Sequence, residues 1–142
     1  MVRLVLDHPE FGNYDVTSLK AVVCGGSPLS RALLNDANKA FPSASFMQGY
    51  GMTEVAAVAT ILGPAEYEAF PDVMMSAGRA MPHNEVRIVD EEQNELPRGT
   101  VGEIVVRGGN VMLGYWNQPD ATASAVRNGW MHTGDGGYMD ER

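Results

Sequence analysis

Two apolar segments that each run into glycines constrain this chain more than any other feature of its sequence. The first apolar run occupies residues 19–24 and the second begins at residue 45. Between them, residues 30–41 have apolar side chains at helical spacing, and a proline follows at once. Strand, glycine turn, helix and strand in this order predict a βαβ unit of parallel sheet, with both glycine turns at the carboxyl ends of its strands.

The second half of the chain has a different pattern. Residues 85–89 alternate with period two, and a polar loop containing proline and glycine connects them to a further apolar run at residues 102–107. We expect a short helix over residues 120–126, and short strands at 130–133 and 138–139 around a Thr-Gly-Asp turn. The sequence therefore predicts an α/β chain, in which an αβ part over residues 1–71 precedes a mostly β subdomain over residues 72–142.

Composition excludes several classes of function. The 142 residues have a formal net charge of −8 with ten Lys and Arg, which argues against the basic face that nucleic acid binding needs. The single cysteine, Cys24, lies in an apolar run and is expected to behave as a small buried hydrophobe. The three histidines lack the spacing of a zinc site. No segment approaches the ~20 apolar residues of a membrane helix, so we expect no membrane span and a cytoplasmic location.

Three motifs place chemically useful groups on turns. The Gly-Gly-Ser-Pro sequence that begins at Gly25 would let a flat or charged group approach the backbone, although a plain strand-to-helix turn is the commoner meaning. Thr53 can donate to a phosphate oxygen and Glu54 can hold Mg²⁺, although an acid at a helix start is an alternative. Asp135, which ends a Thr-Gly-Asp sequence, either caps its own turn or accepts hydrogen bonds from ribose hydroxyls.

The order of these motifs resembles the core of the adenylate-forming superfamily, which includes acyl-CoA and aryl-CoA synthetases, beetle luciferases and peptide-synthetase adenylation domains. The resemblance is carried by Gly-Gly-Ser-Pro-Leu-Ser, Gln-Gly-Tyr-Gly-Met-Thr-Glu, Gly-Glu-Ile, Gly-Tyr-Trp and Trp-Met-His-Thr-Gly-Asp, between about residues 19 and 141. It implies an internal fragment of the large AMP-binding domain, with a parallel-sheet part and a distorted barrel-like second part. It also implies ATP, Mg²⁺ and CoA as cofactors and co-substrates, and a fatty or aryl carboxylic acid as substrate.

The resemblance implies a role for each residue of the motifs. Tyr50 would pack against adenine, Thr53 would hold the α-phosphate and Glu54 the Mg²⁺, so Thr53 and Glu54 are the implied catalytic residues. Asp135 would accept from the ribose hydroxyls. The implied nucleotide-binding set is Gly25, Gly26, Ser27, Pro28, Gln48, Gly49, Tyr50, Gly51, Met52, Thr53 and Asp135. The implied substrate-binding set is Gly25, Gly49, Gly51 and Met52.

The acyl acceptor separates the branches of this superfamily. Met52 and the Trp-Met-His sequence resemble acyl-CoA and aryl-CoA ligases, because peptide-synthetase domains usually have proline at the first position and Tyr-Arg or Tyr-Lys before Thr-Gly-Asp. Two alternatives stay open: an adenylation domain that loads a carrier protein, and a non-catalytic module that keeps the fold. The superfamily's phosphate loop and lysine-bearing terminal domain are not found in this sequence. We therefore expect the isolated chain to be inactive, and to form homo-oligomers through apolar surface exposed by truncation.

Overall fold

The computed structural model describes residues 1–70, 73 and 76–142, and this part of the chain divides into two compact units. Unit 1 comprises residues 1–50 and 60–79, and unit 2 comprises residues 51–59 and 80–142. The boundary predicted between residues 71 and 72 lies outside the described residues, so the division at that point stays a prediction.

Unit 1 contains the predicted strand, helix and strand. Its elements are α1 (Val2–Leu6), a 3₁₀ turn (Phe11–Asn13), β1 (Ala21–Gly25), α2 (Arg31–Ala40), β2 (Ser45–Tyr50), β3 (Thr60–Leu62) and α3 (Pro64–Ala69). Helix α2 begins after Ser30, whose hydroxyl oxygen accepts a hydrogen bond from the Leu33 amide at 3.2 Å. The sequence did not predict α1 and α3, which are short.

The first sheet is mixed. Its strand order is β1-β2-β3-β4, where β4 is the two-residue strand Arg79–Ala80. Strands β1 and β2 are parallel and joined through α2, which confirms the predicted βαβ unit. Strand β3 is antiparallel to β2. The connection between them, residues 51–59, is shorter than the dozen or so residues that a parallel crossover needs, so an antiparallel neighbour results.

The core of unit 1 lies between α2 and the sheet. Phe41 lies at its centre, with its ring centroid 5.4 Å from that of Phe11 and 6.0 Å from that of Phe46. Leu34 and Ala37 of α2 are buried in the same cluster. Cys24 packs against this cluster half-buried, and burial raises the pKa of its thiol, as expected for an unreactive cysteine.

Unit 2 is mostly β. It contains a 3₁₀ turn (Thr53–Val55), β5 (Asn84–Val89), β6 (Gly102–Gly108), α4 (Pro119–Ala125), β7 (Val126–Arg127) and β8 (Trp130–Gly137). The strand order is β5-β6-β8-β7, every pair is antiparallel, and the sheet curls into half a barrel. The predicted distorted barrel-like part is thus confirmed.

Two details of unit 2 differ from the sequence-based expectation. Strand β8 continues through the Thr-Gly-Asp sequence to Gly137, whereas a turn was expected there. The strand expected at residues 138–139 is wrong, because β8 ends before it. The sequence predicts a turn because this segment contains several glycines, which favour turns. In the structure, the strand accommodates the segment as a bulge. In the described part of the chain, no helix is long and apolar enough to cross a membrane.

Candidate functional site

The first glycine motif begins opposite the second, and Gly49 lies within β2 because that strand continues to Tyr50, so the turn expected there starts later than predicted. Gly25 at the end of β1 lies opposite Gly49 in β2, and a Cβ on Gly25 would lie 3.1 Å from the Gly49 carbonyl oxygen. Residues 26–28 then lead from the end of β1 towards α2. The structure therefore brings the first glycine motif beside the second, as neighbouring parallel strands require.

Gln48 connects these motifs through its side chain. Its Oε1 accepts a hydrogen bond from the Leu29 amide at 2.5 Å, and its Nε2 donates to the Ser76 carbonyl oxygen at 3.3 Å. The residue is 7% exposed. Both polar ends of this side chain are therefore bonded within unit 1, where they fix the segment that follows Pro28. Tyr50 is half-buried at the last position of β2, opposite Thr60.

Gly51, the first residue of unit 2, is a point of close backbone approach. A Cβ there would overlap the Ala57 carbonyl oxygen and lie 2.9 Å from the Val58 Cα. Residues 57–59 thus pass directly over Gly51, which explains the glycine without reference to a ligand. The neighbouring Met52 carbonyl oxygen accepts hydrogen bonds from the Val55 and Ala57 amides.

The predicted catalytic residues lie on the 3₁₀ turn Thr53–Val55. Val55 is completely buried, whereas Thr53 is exposed and Glu54 is half-buried. The buried valine anchors the turn, so the backbone that carries the two polar side chains before it is held in place. The local sequence therefore places a hydroxyl residue and a carboxylate residue on one anchored turn.

Three hydrogen bonds tie this turn to residues 110–115. Asn110 Nδ2 donates to the Val55 carbonyl oxygen at 2.8 Å, and the Met112 amide donates to the Glu54 carbonyl oxygen at 2.8 Å. The Tyr115 hydroxyl donates to Glu54 Oε1 at 2.8 Å, and this bond raises the pKa of the Tyr115 hydroxyl. The sequence does not predict these partners. Tyr115 lies in the Gly-Tyr-Trp motif, but no local pattern predicts a contact between residues so far apart in the chain.

Glu54 suits a magnesium ion that arrives with phosphates. Among residues 1–70, 73 and 76–142, no group of three His, Cys, Asp or Glu side chains could hold a metal ion by itself. Magnesium commonly binds proteins through one or two carboxylates and completes its shell with phosphate oxygens and water. The hydroxyl of Tyr115 bonds Oε1 and holds the carboxylate in one orientation. A single oriented carboxylate fits that mode of binding and does not fit a resident metal centre.

The Thr-Gly-Asp sequence forms a bulge in β8. Strands β6 and β8 pair at Glu103 with Gly136 and at Val105 with His132. Only Ile104 lies between these pairs on β6, whereas residues 133–135 lie between them on β8. Gly134 has a φ of +74°, which favours glycine. Asp135 is exposed, so the bulge presents its carboxyl side chain at the surface of the sheet.

Side chains on both strands hold this bulge. The Thr133 hydroxyl donates to the Ile104 carbonyl oxygen at 2.8 Å, and its oxygen accepts from the Asp135 amide at 3.1 Å. The Glu103 carboxylate bonds His132 Nδ1 at 2.8 Å and the Gly134 amide at 3.0 Å. Glu103 belongs to the Gly-Glu-Ile motif of the family resemblance, but no sequence pattern predicts its contacts with His132 and Gly134.

The predicted binding residues are divided between the two units. Residues 25–28 and 48–50 belong to unit 1, whereas residues 51–54 and Asp135 belong to unit 2. A cavity of about 510 Å³ in unit 2 is lined by residues 89–91, 96 and 100–103, and it contains none of the predicted residues. This cavity is therefore not part of the predicted site.

The chain is similar to known proteins over most of its length. The family profile described as AMP-binding enzyme matches residues 1–116. Fatty acid–[acyl-carrier-protein] ligase ScoC of Streptomyces coeruleorubidus is 41% identical over 141 residues, which are 99% of this chain and 27% of ScoC. The 4-coumarate–CoA ligase of Vanilla planifolia is 40% identical over 131 residues, which are 91% of this chain and 24% of that ligase.

Solved structures of other proteins share the fold of this chain. The amide bond synthetase McbA from Marinactinospora thermotolerans has a TM-score of 0.84 at 38% identity, over 99% of this chain and 28% of McbA. The chain thus spans about a quarter of the length of the proteins it matches.

Proposed function

Because this chain belongs to the AMP-binding enzyme family, we propose that it forms part of an ATP-dependent acid–CoA ligase. The observation that carries the proposal is the Thr53–Val55 turn, which a buried valine anchors, which carries the Thr53 hydroxyl, and whose Glu54 carboxylate is oriented by the Tyr115 hydroxyl. The proposed substrate is a fatty or aryl carboxylic acid, and ATP and CoA are the co-substrates.

The proposed reaction has two steps. A carboxylate oxygen of the acid attacks the α-phosphorus of ATP, the bond to the leaving pyrophosphate breaks, and an acyl-AMP forms. The CoA thiol then loses its proton to solvent, its sulfur attacks the acyl carbon, and AMP leaves with the electron pair of the broken C–O bond. The first step accumulates negative charge around the α-phosphate, so positioned donors and cations lower its barrier.

Unit 2 would supply groups for the phosphate and the ribose. The Thr53 hydroxyl would donate to an α-phosphate oxygen, and Glu54 would hold Mg²⁺, which neutralises phosphate charge when bound. The exposed Asp135 carboxylate would accept hydrogen bonds from the ribose hydroxyls. Gly51 and Met52 would border the carboxylate of the acid substrate.

Unit 1 would supply the surface for adenine and the acyl chain. The backbone at residues 25–28 leaves room for a flat group, and Tyr50 offers a ring that can stack on adenine. Gly49 would line the same surface. Gln48 would act through its backbone and through its hold on Leu29, because both polar ends of its side chain are bonded internally.

Carrier-protein loading is the second candidate function. The relative ScoC is named for an acyl-carrier-protein acceptor, whereas the Vanilla planifolia relative is named for CoA. The two candidates share the acyl-AMP step and differ only in the thiol that attacks it. A non-catalytic module is the third candidate, and the presence of Thr53, Glu54 and Asp135 speaks against it.

The proposal is tested by ATP–pyrophosphate exchange with a panel of fatty and aryl acids. The assay uses the whole natural protein that contains this sequence, and the 142-residue chain beside it. We expect exchange by the whole protein, and about 10²- to 10³-fold slower exchange after Glu54→Gln. The matched control is Glu91→Gln, an exposed carboxylate in the loop after β5, which should leave exchange unchanged.

Two results decide between the candidate functions, and a third tests whether the 142-residue chain is sufficient for activity. A folded whole protein that exchanges with no acid of the panel favours the non-catalytic module and overturns the proposal. When exchange is found, mass spectrometry of the products with CoA and with a holo carrier protein identifies the acceptor. Useful exchange by the 142-residue chain alone would contradict our proposal that it is insufficient, which rests on the loss expected when several charge-stabilising groups are absent.

A further inference from the structure

We propose that Glu103 is a positioning residue that fixes the bulge at residues 133–135 and thereby aims the Asp135 carboxylate at ribose. This inference rests on the proposed function, because it takes Asp135 to be the acceptor for ribose hydroxyls. Glu103 itself would not contact the nucleotide.

The contacts of Glu103 link a buried residue before the bulge to the glycine at its centre. Oε2 bonds Nδ1 of His132, which is 8% exposed and follows the fully buried Met131. Oε1 accepts from the amide of Gly134, the middle residue of the bulge. The Glu103 carboxylate therefore joins His132, the last buried residue before the bulge, to Gly134, the residue of the bulge with the most conformational freedom.

The bulge needs such a link because its backbone is outside the regular pairing of β6 and β8. A bulge leaves backbone groups without a strand partner, and the Gly134 amide bonds the Glu103 carboxylate instead. Gly134 has no heavy atom within 4 Å of its Cβ position, so packing does not restrict it. Without the carboxylate, this glycine would sample further conformations and would carry Asp135 with it.

Thr133 clamps the other side of Asp135. Its hydroxyl donates to the Ile104 carbonyl oxygen, and its oxygen accepts from the Asp135 amide. With Glu103 and Thr133 both in place, the backbone that carries the Asp135 carboxylate is fixed before a nucleotide arrives. Fixing a contact in advance removes part of the ordering entropy from binding, which improves affinity for the group that it receives.

The charge state of Glu103 suits this role. A carboxylate only accepts hydrogen bonds, so His132 Nδ1 carries the proton that lies between them. Partial burial raises the pKa of the Glu103 carboxyl, but the hydrogen bonds from His132 and Gly134 outweigh it, and the pKa lies below its usual value. Both carboxylate oxygens have protein donors, which leaves Glu103 poorly placed to bind a ligand directly.

The test compares Glu103→Ala and Glu103→Gln in the whole natural protein. The measurements are KM for ATP and kcat in pyrophosphate exchange, and hydrogen exchange of the Gly134 amide without nucleotide. For Glu103→Ala we expect KM for ATP to rise at least ~10-fold, with kcat within ~3-fold, and the amide to exchange at least ~10-fold faster. Glu103→Gln should stay within ~3-fold of the wild type, because its amide can accept from Gly134 and donate to His132 in the other tautomer.

A matched control is Glu85→Ala, which removes an exposed carboxylate of the same sheet that pairs with Arg107. It should change neither KM nor the Gly134 amide. An unchanged KM in Glu103→Ala, with an active wild type, overturns the positioning role while the proposed function stands. An equal loss in the Ala and Gln variants also overturns it, because it would indicate a direct need for the negative charge.

The remaining outcomes are also decisive. A Glu103→Ala protein that does not fold leaves Glu103→Gln to decide, and loss of Gly134 protection in a folded Gln variant overturns the proposal. A wild type that exchanges with no acid overturns the proposed function, and the aiming of Asp135 at ribose is refuted with it. In that case the Gly134 amide in Glu103→Ala still shows whether Glu103 holds the bulge.

Discussion

Replacing Gln48 by methionine should lower the free energy of unfolding by about 2–3 kcal/mol. Methionine has a similar length and volume, so the change removes hydrogen bonds without opening a cavity. The Leu29 amide is buried, and a buried donor left without an acceptor costs ~1–3 kcal/mol. The bond to the Ser76 carbonyl oxygen is longer, at 3.3 Å, and only part-buried, so we assign it ~0.5–1 kcal/mol.

Urea unfolding and hydrogen exchange both measure this loss. With a slope of ~1–3 kcal/mol/M, the midpoint should fall by about 0.7–3 M. The Leu29 amide should exchange ~30- to 150-fold faster, since each 1.4 kcal/mol is about tenfold. The control is Gln118→Met, an exposed position before α4 whose side chain makes no capping hydrogen bond, where the change should stay within ~0.5 kcal/mol.

One result would refute the reasoning. If Gln48→Met unfolds at the wild-type midpoint but raises KM for ATP, the side chain binds the nucleotide directly and its internal hydrogen bonds are unimportant. Gln48 would then have the nucleotide-binding role that the family resemblance implies, through a direct contact of its side chain.

Further predictions concern unit 2. Gly51→Ala should destabilise by more than ~2 kcal/mol in urea unfolding, because the crossing backbone must move, whereas Gly136→Ala, which meets open space, should be tolerated. Tyr115→Phe should raise the Mg²⁺ concentration needed for half-maximal pyrophosphate exchange, because Glu54 loses its orienting hydrogen bond; an unchanged requirement would contradict the assigned contact. The folded pKa of Glu103 lies below its ordinary value of 4.5, so its stabilisation is present above that pH and is lost as the pH falls through the folded pKa. Glu103→Gln should accordingly flatten the fall in unfolding free energy as the pH drops from 4.5 through the folded pKa.

The sequence was sufficient for the elements that local patterns determine. The βαβ unit follows from an apolar run, a serine cap at Ser30 and a proline stop, all of which act within a few residues. Strands β5 and β6 follow from period-two alternation and a polar loop. Strand β3 was not predicted, and its antiparallel direction depends on the length of the connection before it, which the apolar pattern does not reveal.

The candidate site could also be predicted only in part. The motif residues could be identified from the sequence, but their supports could not. Tyr115 reaches Glu54 from 61 positions away, and His132 reaches Glu103 from 29 positions away. The bulge was also missed, because the extra residues of β8 are visible only against the register of β6. Such contacts depend on how distant strands pair, and single-sequence patterns do not encode that pairing.

The tie between the Thr53–Val55 turn and residues 110–115 has a consequence for biosynthesis. Asn110 meets Val55 after 55 positions, and Tyr115 meets Glu54 after 61. At ~5–20 residues per second, a ribosome needs about 3–12 s to produce that stretch. During this interval residues 51–59 exist without the strands that complete their unit. The proposed metal-binding turn therefore acquires its structure several seconds after it is synthesised, and slow translation between residues 60 and 110 would lengthen the time it spends exposed to chaperones and proteases.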